Sequence, residues 1–232
     1  MALDVLREHS LSSLAQRELE RRIISGEISA GSKLNEVEVA SALGVSRGPV
    51  REAFAALGQA GLVRVEKNRG VFVRQVSLDE ANEFYEVRAA LEGLIGRLAV
   101  QRISLEEIEQ LRALVRRMHR VQKGRRPEEY FVLNVEFHDR LARAARNQAL
   151  VAYYRGVVNQ LGLYRRATIS RSVENIPLST EEHEAIVEAV AARDEVRAEA
   201  LLTAHVSASR ERLHASLATA PAVARAARAV HT

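Results

Sequence analysis

Apolar residues recur every three or four positions along most of this 232-residue chain, the period of a helix with one buried face. The pattern predicts a first helix from Leu11 to Ser25, with Leu14, Leu19 and Ile23 turned inward. "GEISAGSKL" reads as a loop ending at Leu34, after which Asn35 caps a short helix with Glu38 as its capping-box partner. Gly44 stops that helix by supplying a left-handed residue. Ser46 is placed to cap a third helix, and Pro49 falls in its first turn, where a missing N–H costs nothing. Gly58 and Gly61 weaken the end of that helix. "LVRVE" and "GVFVRQV" then alternate apolar and polar residues around "KNRG", a hairpin signal.

From Ser77 the strand period vanishes. "SLDE" and "SLEE" are capping boxes, each opening a long helical pattern, and Pro127 starts a helix running to about Ala145. Further helices are expected over Ala149–Ser170, Thr180–Ala192 and Asp194–Leu217. The fold class is therefore mainly α: an N-terminal winged helix-turn-helix, then an all-α bundle of six helices joined by short loops. The expected divisions are a DNA-binding domain with a short linker over residues 1–76, a helical body over 77–218, and a low-complexity, disordered tail over 219–232. There is no internal repeat.

Composition narrows the class. With 47% hydrophobic and 28% charged residues, the chain has enough apolar mass for a core. No apolar run is long enough for a transmembrane helix, and "MALDVLREHSLSSLAQ" lacks a basic-then-apolar signal pattern. The absence of cysteine excludes disulfides and thiolate metal sites and fits a reducing cytoplasm. Net charge is +4, with residues 1–76 at +2, 77–218 at zero and 219–232 at +2. A neutral body with a basic head can meet a polyanion through the head.

"ASALGVSRGPVREAF" supplies the turn and second helix of a helix-turn-helix. Val50, Phe54 and Leu57 face the core, while Arg47, Gly48 and Arg51 lie opposite, near the helix N-terminus. In this motif those N-terminal residues contact base edges in the major groove. Arginine suits the task because its fork bonds O6 and N7 of guanine together, and Gly48 leaves the backbone free to approach the duplex. Arg64, Lys67, Asn68 and Arg69 cluster around the hairpin, where a wing meets phosphates or a minor groove. Two arginines on a helix are usually just a solvated face; the capped turn, hairpin and basic wing together favour DNA.

At these residues the chain resembles a known family. "LNEVEVASALGVSRGPVREAFAALGQAGLV" followed by "NRGVFV" is similar to the GntR family of bacterial repressors. The helical remainder, with "FYEVRAALEGLIGRLA", resembles the effector domain of its FadR-like (FCD) branch. The resemblance spans about residues 10 to 216. It implies a homodimer binding double-stranded DNA at a short palindromic operator, with a small carboxylic acid as effector. By position, Arg47 and Arg51 match the base-reading arginines and Gly70 the wing-tip glycine. Some members carry an arginine near the start of the helix before the turn, where this chain has Val37; Glu36 or Glu38 is the other residue able to face the duplex there.

The body shows a second constellation. Asn134 and His138 lie four apart on a face with Tyr130, Phe137, Leu141 and Ala145. His183 shares a stripe with Ile186, Val187 and Val190, and His205 with Leu201, Leu202 and Leu213. Buried polar groups need partners, and three such histidines with an Asn in helical register point to a shared metal. A hydrogen-bonded histidine cluster and a metal-free acid pocket are the alternatives. The resemblance sharpens this: many FCD domains have Asp or Asn, a histidine four on, and two histidines on later helices, so Asn134, His138, His183 and His205 fall on the pattern. An amide oxygen is a weaker ligand than the commoner carboxylate. Imidazole-rich sites suit Zn, Ni or Fe.

Arg88 shares a stripe with Phe84, Leu91, Ile95 and Leu98, so its guanidinium is expected inside the bundle, where a cation needs an anion. Either Glu92, four residues on, is that anion, or Arg88 grips an effector carboxylate, and both can hold. Tyr164 and Arg165 are further candidates for lining the pocket. The function expected is a repressor, not an enzyme, in which acid binding releases DNA. The competing reading is a metal-dependent, hydrolase-like enzyme with an accessory DNA-binding domain, using Glu136 or Glu184 as base. Each carboxylate sits too near its histidine in sequence to face the same site, and no HExxH spacing occurs. A non-specific nucleoid-type binder would show neither palindrome preference nor effector.

Overall fold

Helix α1 (Leu11–Ser25) begins where Ser10 accepts a hydrogen bond from the Ser13 N–H, and ends on left-handed Gly26. A computed structural model of the chain describes residues 10–124, 126–169 and 173–218, without the side chains of 165–169, 173 and 216–218. The tail expected at 219–232 lies outside the described residues. The chain forms two units, one holding residues up to Ala81 with Val158–Arg166, the other Asn82–Val157 with the chain from Ala167 onward.

In the first unit, α1 is followed by strand β1 (Lys33–Leu34), α2 (Glu36–Leu43), α3 (Arg47–Gln59), β2 (Val63–Glu66) and β3 (Gly70–Val73). Where the sequence pattern gives only a hairpin, the sheet has three antiparallel strands in the order β1-β3-β2. A two-residue strand has too short a pattern to be read, and only its pairing, Lys33 with Phe72 and Leu34 with Val71, defines it. Asn35 caps α2 by accepting from the Val37 N–H, but Glu38 accepts from the Asn35 side-chain amide rather than closing a capping box. Ser46 takes the extended backbone of a cap without forming a side-chain capping bond. Leu19, Ile23, Val50, Phe54, Leu57, Leu62 and Val73 form one apolar core.

The remaining helices are α4 (Leu78–Arg102), α5 (Leu105–Lys123), α6 (Pro127–Ala144), α7 (Gln148–Ile169), α8 (Ile176–Ala191) and α9 (Glu195–Ala218), which make the second unit apart from the start of α4 and residues 158–166 of α7. Both predicted capping boxes are made: Ser77 with Glu80 and Ser104 with Glu107 exchange reciprocal bonds. Helix α8 starts at Ile176, four residues before the expected Thr180, because Pro177 sits in its first turn, where no N–H is needed. Helices α4 and α9 approach closely at Gly96, where an added Cβ would lie 2.7 Å from Leu202 Cδ1 and 3.0 Å from the Ala198 oxygen. No helix among the described residues is long and apolar enough to cross a membrane.

Arg88 is buried, as expected, but its stripe differs. The buried line on α4 is Ala81, Tyr85, Arg88, Glu92, Ile95 and Ala99, whereas Phe84, Leu91 and Leu98 lie beside it, only partly covered. Positions seven apart stay on one line of a helix, and that line is offset from the one through Arg88.

Candidate functional sites

The candidate nucleic-acid face is built on α2 and α3. Burial of Val50, Ala53, Phe54 and Leu57 turns Arg47 and Arg51 outward, and their side chains are 62% and 67% exposed. Both face one carboxylate: Glu36 Oε1 accepts from Arg47 Nε at 2.8 Å and lies 3.7 Å from Arg51 Nε. Glu36 is thus the acidic residue that joins this face, while Glu38 is occupied by Asn35 and Val37 is exposed. A Cβ on Gly48 would meet nothing within 4 Å, so no protein neighbour demands glycine there. The arrangement offers two guanidinium groups, oriented by Glu36, beside an unobstructed backbone.

At the hairpin tip, Asn68 and Gly70 have φ of 63° and 108°, and a Cβ on Gly70 would sit 3.1 Å from Lys33 Cε. Arg64 and Arg69 both reach Glu66, at 3.0 and 2.6 Å. Lys33, Arg64 and Arg69 also surround the Phe72 ring at 6.0, 5.9 and 5.7 Å from its centroid. Lys67 is exposed beside them. Lys33 is the basic residue that sequence reasoning missed, because only the pairing of β1 with β3 brings it to the wing.

The second site lies inside the helical unit. His138 on α6, His183 on α8 and His205 on α9 are each at least 95% buried, and one ring nitrogen from each lies within 4.8 Å of the others. Each Nδ1 faces an acceptor: Glu92 Oε2 at 2.8 Å for His138, the Ser179 carbonyl for His183, and Glu182 Oε2 at 2.6 Å for His205. The His138–Glu92 approach is close but poorly aligned as a hydrogen bond. The Ser179 carbonyl and Glu182 assign the protons of neutral His183 and His205 to Nδ1 and leave each Nε2 with a lone pair, while Glu92 lies beside His138 Nδ1. His138 Nε2 and His183 Nε2 are 3.1 Å apart. Two ring nitrogens that close need either a proton on one of them or a metal ion between them. Zn–N bonds of 2.0–2.1 Å put two tetrahedral ligands about 3.3 Å apart. The residues therefore fit a divalent metal. Asn134, one turn before His138 on the same face, is 6% exposed, and its side chain makes no hydrogen bond among the described residues.

Burial disfavours charge on all three rings. Desolvation lowers His138 to about 4 against the opposing pull of Glu92, and pushes His183 well below its usual value and His205 below it too. Glu182 is pushed up by desolvation, but His205 and Arg212 outweigh that and hold it at about 2. Arg212 reaches both Glu182 oxygens, at 2.7 and 2.8 Å, so α8 and α9 share a carboxylate–histidine–arginine chain.

Arg88 adjoins this cluster through Glu92. Its Nε and Nη2 both lie 2.7 Å from Glu92 Oε1, while its Nη1 is buried without a partner. A buried guanidinium N–H left unpaired is a place for an acceptor. Tyr85 and Tyr154, both buried, also act on the Arg88 charge. They and Glu182 were missed from sequence; Tyr85, three residues before Arg88, had the only local signal. Tyr164 is half-buried in the segment 158–166 that groups with the first unit, and the Arg165 side chain lies outside the described residues. Glu136 accepts from Arg140, and Glu184 lies 3.5 Å from His119, both away from the cluster.

A winged helix joined to a helical body with a buried polar site is the build of a DNA-binding transcription regulator. Comparison with known proteins agrees. Residues 11–73 match the bacterial regulatory proteins of the gntR family, and residues 83–208 match the FCD domain. The chain belongs to the GntR family of transcription regulators, in its FCD branch. It is 34% identical to a probable D-xylose utilization operon transcriptional repressor of Paenarthrobacter nicotinovorans, over 80% of this chain and 81% of that protein. It is 33% identical to the Nta operon transcriptional regulator of Aminobacter aminovorans, over 76% and 81%. The fold resembles E. coli McbR/YncC with a TM-score of 0.78 at 20% identity, over 90% of this chain and 99% of that one.

Proposed function

We propose that this protein is a homodimeric repressor that reads a palindromic operator with Arg47, Gly48 and Arg51, and releases it when a small carboxylic acid binds the helical body. The wing residues Lys67, Asn68, Arg69 and Gly70 meet the backbone or minor groove beside the recognition helix. In the body, Asn134, His138, His183 and His205 hold a divalent Zn, Ni or Fe ion, which supplies a Lewis-acidic position for an acid oxygen. Arg88 takes a carboxylate through Nη1, while Glu92 fixes the orientation of its fork. One observation carries the acid reading: Arg88 Nη1 is buried and unpaired on the helix whose Glu92 also touches His138.

Dimer formation is supported by Phe84, Val87, Leu91, Leu94 and Leu98, an incompletely covered apolar line on α4 with alternating spacings of three and four. The acid changes DNA affinity only if it binds the DNA-competent and incompetent states differently. The direct test is footprinting with Arg51→Ala. The variant should lose specific protection while keeping the helical content and acid binding of the parent. Protection at parental affinity would remove Arg51 from base reading.

A further inference from the structure

The donors around the histidine cluster carry no net charge. A metal-binding imidazole is neutral, and Asn134 offers an amide where a carboxylate would bring a negative charge. Two carboxylates touch the cluster, and the first, Glu92, is already matched by Arg88 at 2.7 Å. Glu182 is matched by Arg212 at 2.7 Å. The cluster is thus neutral before any metal arrives, and its three histidines are at least 95% buried. A divalent ion entering alone would bring two uncompensated charges into this interior, which low-dielectric surroundings oppose strongly.

We propose that metal and acid occupy this site as one unit, the acid supplying the negative charge that the protein's own donors lack. The proposal rests on the metal-and-acid reading above and adds its thermodynamic form. An anion that offset the ion's charge and accepted from the unpaired Arg88 Nη1 would satisfy both deficits together. Acids with two anionic or chelating groups, such as dicarboxylates and 2-hydroxy acids, compensate the ion more fully than monocarboxylates do. The regulator then answers to the coincidence of metal and acid, and each tightens the binding of the other by the same factor. Asn134 makes this so: an Asp there would hold the metal unaided and reduce the sensor to one input.

The test is Zn2+ affinity of the full chain, read by competition with a chromophoric chelator, with and without millimolar acetate. Acetate is small enough to enter any site that takes a carboxylate and binds Zn2+ weakly in water. Wild type should bind Zn2+ weakly alone and tighten with acetate by about 5- to 150-fold, the usual range for coupled sites. Asn134→Asp, nearly identical in shape, should bind Zn2+ about 10- to 100-fold tighter without acetate and lose most of the acetate effect. Equal affinity of the two proteins in acetate-free buffer, or no acetate effect on wild type, overturns the coupling while leaving the metal site standing. No Zn2+ binding by either protein overturns the metal reading itself. The wild-type comparison needs no variant, so it decides the matter even if Asn134→Asp folds poorly.

Discussion

Glu92→Gln is the most informative single change in the helical unit. The side chain is 1% exposed, accepts from Arg88 Nε at 2.7 Å, lies 2.7 Å from Arg88 Nη2 and lies 2.8 Å from His138 Nδ1. Glutamine keeps the shape and one acceptor oxygen but removes the charge, leaving a guanidinium that is itself 2% exposed without compensation. Breaking a buried pair in this way costs about 3–5 kcal/mol. The retained acceptor places Glu92→Gln at about 3 kcal/mol, a fall in melting temperature of about 6–12 °C for the helical unit. Scanning calorimetry at neutral pH measures it. Desolvation raises the Glu92 pKa, but Arg88 and then His138 outweigh that and hold it well below the carboxylate range. Its contribution is therefore complete above the unfolded carboxylate value and is lost only as pH falls through the depressed native value. The gap between variant and parent should hold from neutral pH down to mild acid and close only in strong acid. Arg88→Met combined with Glu92→Gln removes both charges and should regain more than half of the loss. A single variant melting within about 2 °C of the parent would refute the account of Arg88 as a cation dependent on Glu92.

Other outcomes follow from the same geometry. His183→Ala should lose metal and acid response together, and a variant responding at normal acid concentrations in a DNA-release assay would separate the two sites. The buried histidines resist protonation, His138 down to about 4, whereas the unfolded chain protonates them near 6.5. Between those values the unfolded state binds more protons, so stability must fall as pH drops through that window; urea midpoints that do not shift from pH 7 to pH 5 would contradict this. Gly96→Ala should destabilise by about 1–3 kcal/mol, since its Cβ meets the Ala198 backbone oxygen at 3.0 Å and Leu202 Cδ1 at 2.7 Å. Gly48→Ala meets nothing and should leave the fold intact or gain up to about 1 kcal/mol, while weakening operator binding; denaturation and fluorescence anisotropy on the same samples test both.

Periodicity and capping chemistry are local, so the sequence determined the helices well. The boxes at Ser77 and Ser104, the stops at Gly26 and Gly44, and the apolar faces that carry His138, His183 and His205 all depend on residues within a turn or two. The order of helices, turn and hairpin supplied the winged helix and the roles expected of Arg47 and Arg51, and family resemblance added the homodimer, the operator and the acid effector. What the sequence could not determine depends on groups far apart in the chain. Lys33 reaches the wing only because two residues pair with β3, and a two-residue strand has no period to read. Glu182 neighbours His183 in sequence yet accepts from His205 on α9, because adjacent residues on a helix point about 100° apart. The line on α4 that carries Arg88 was misplaced because several faces of that helix are apolar, and only packing selects the one that is buried. The 3.1 Å approach of two imidazole nitrogens, the unpaired Nη1 of Arg88 and the neutrality of the donor set are properties of side chains from several helices meeting in a low-dielectric interior. Sequence spacing determines which face a residue occupies, but only tertiary packing determines what that face meets.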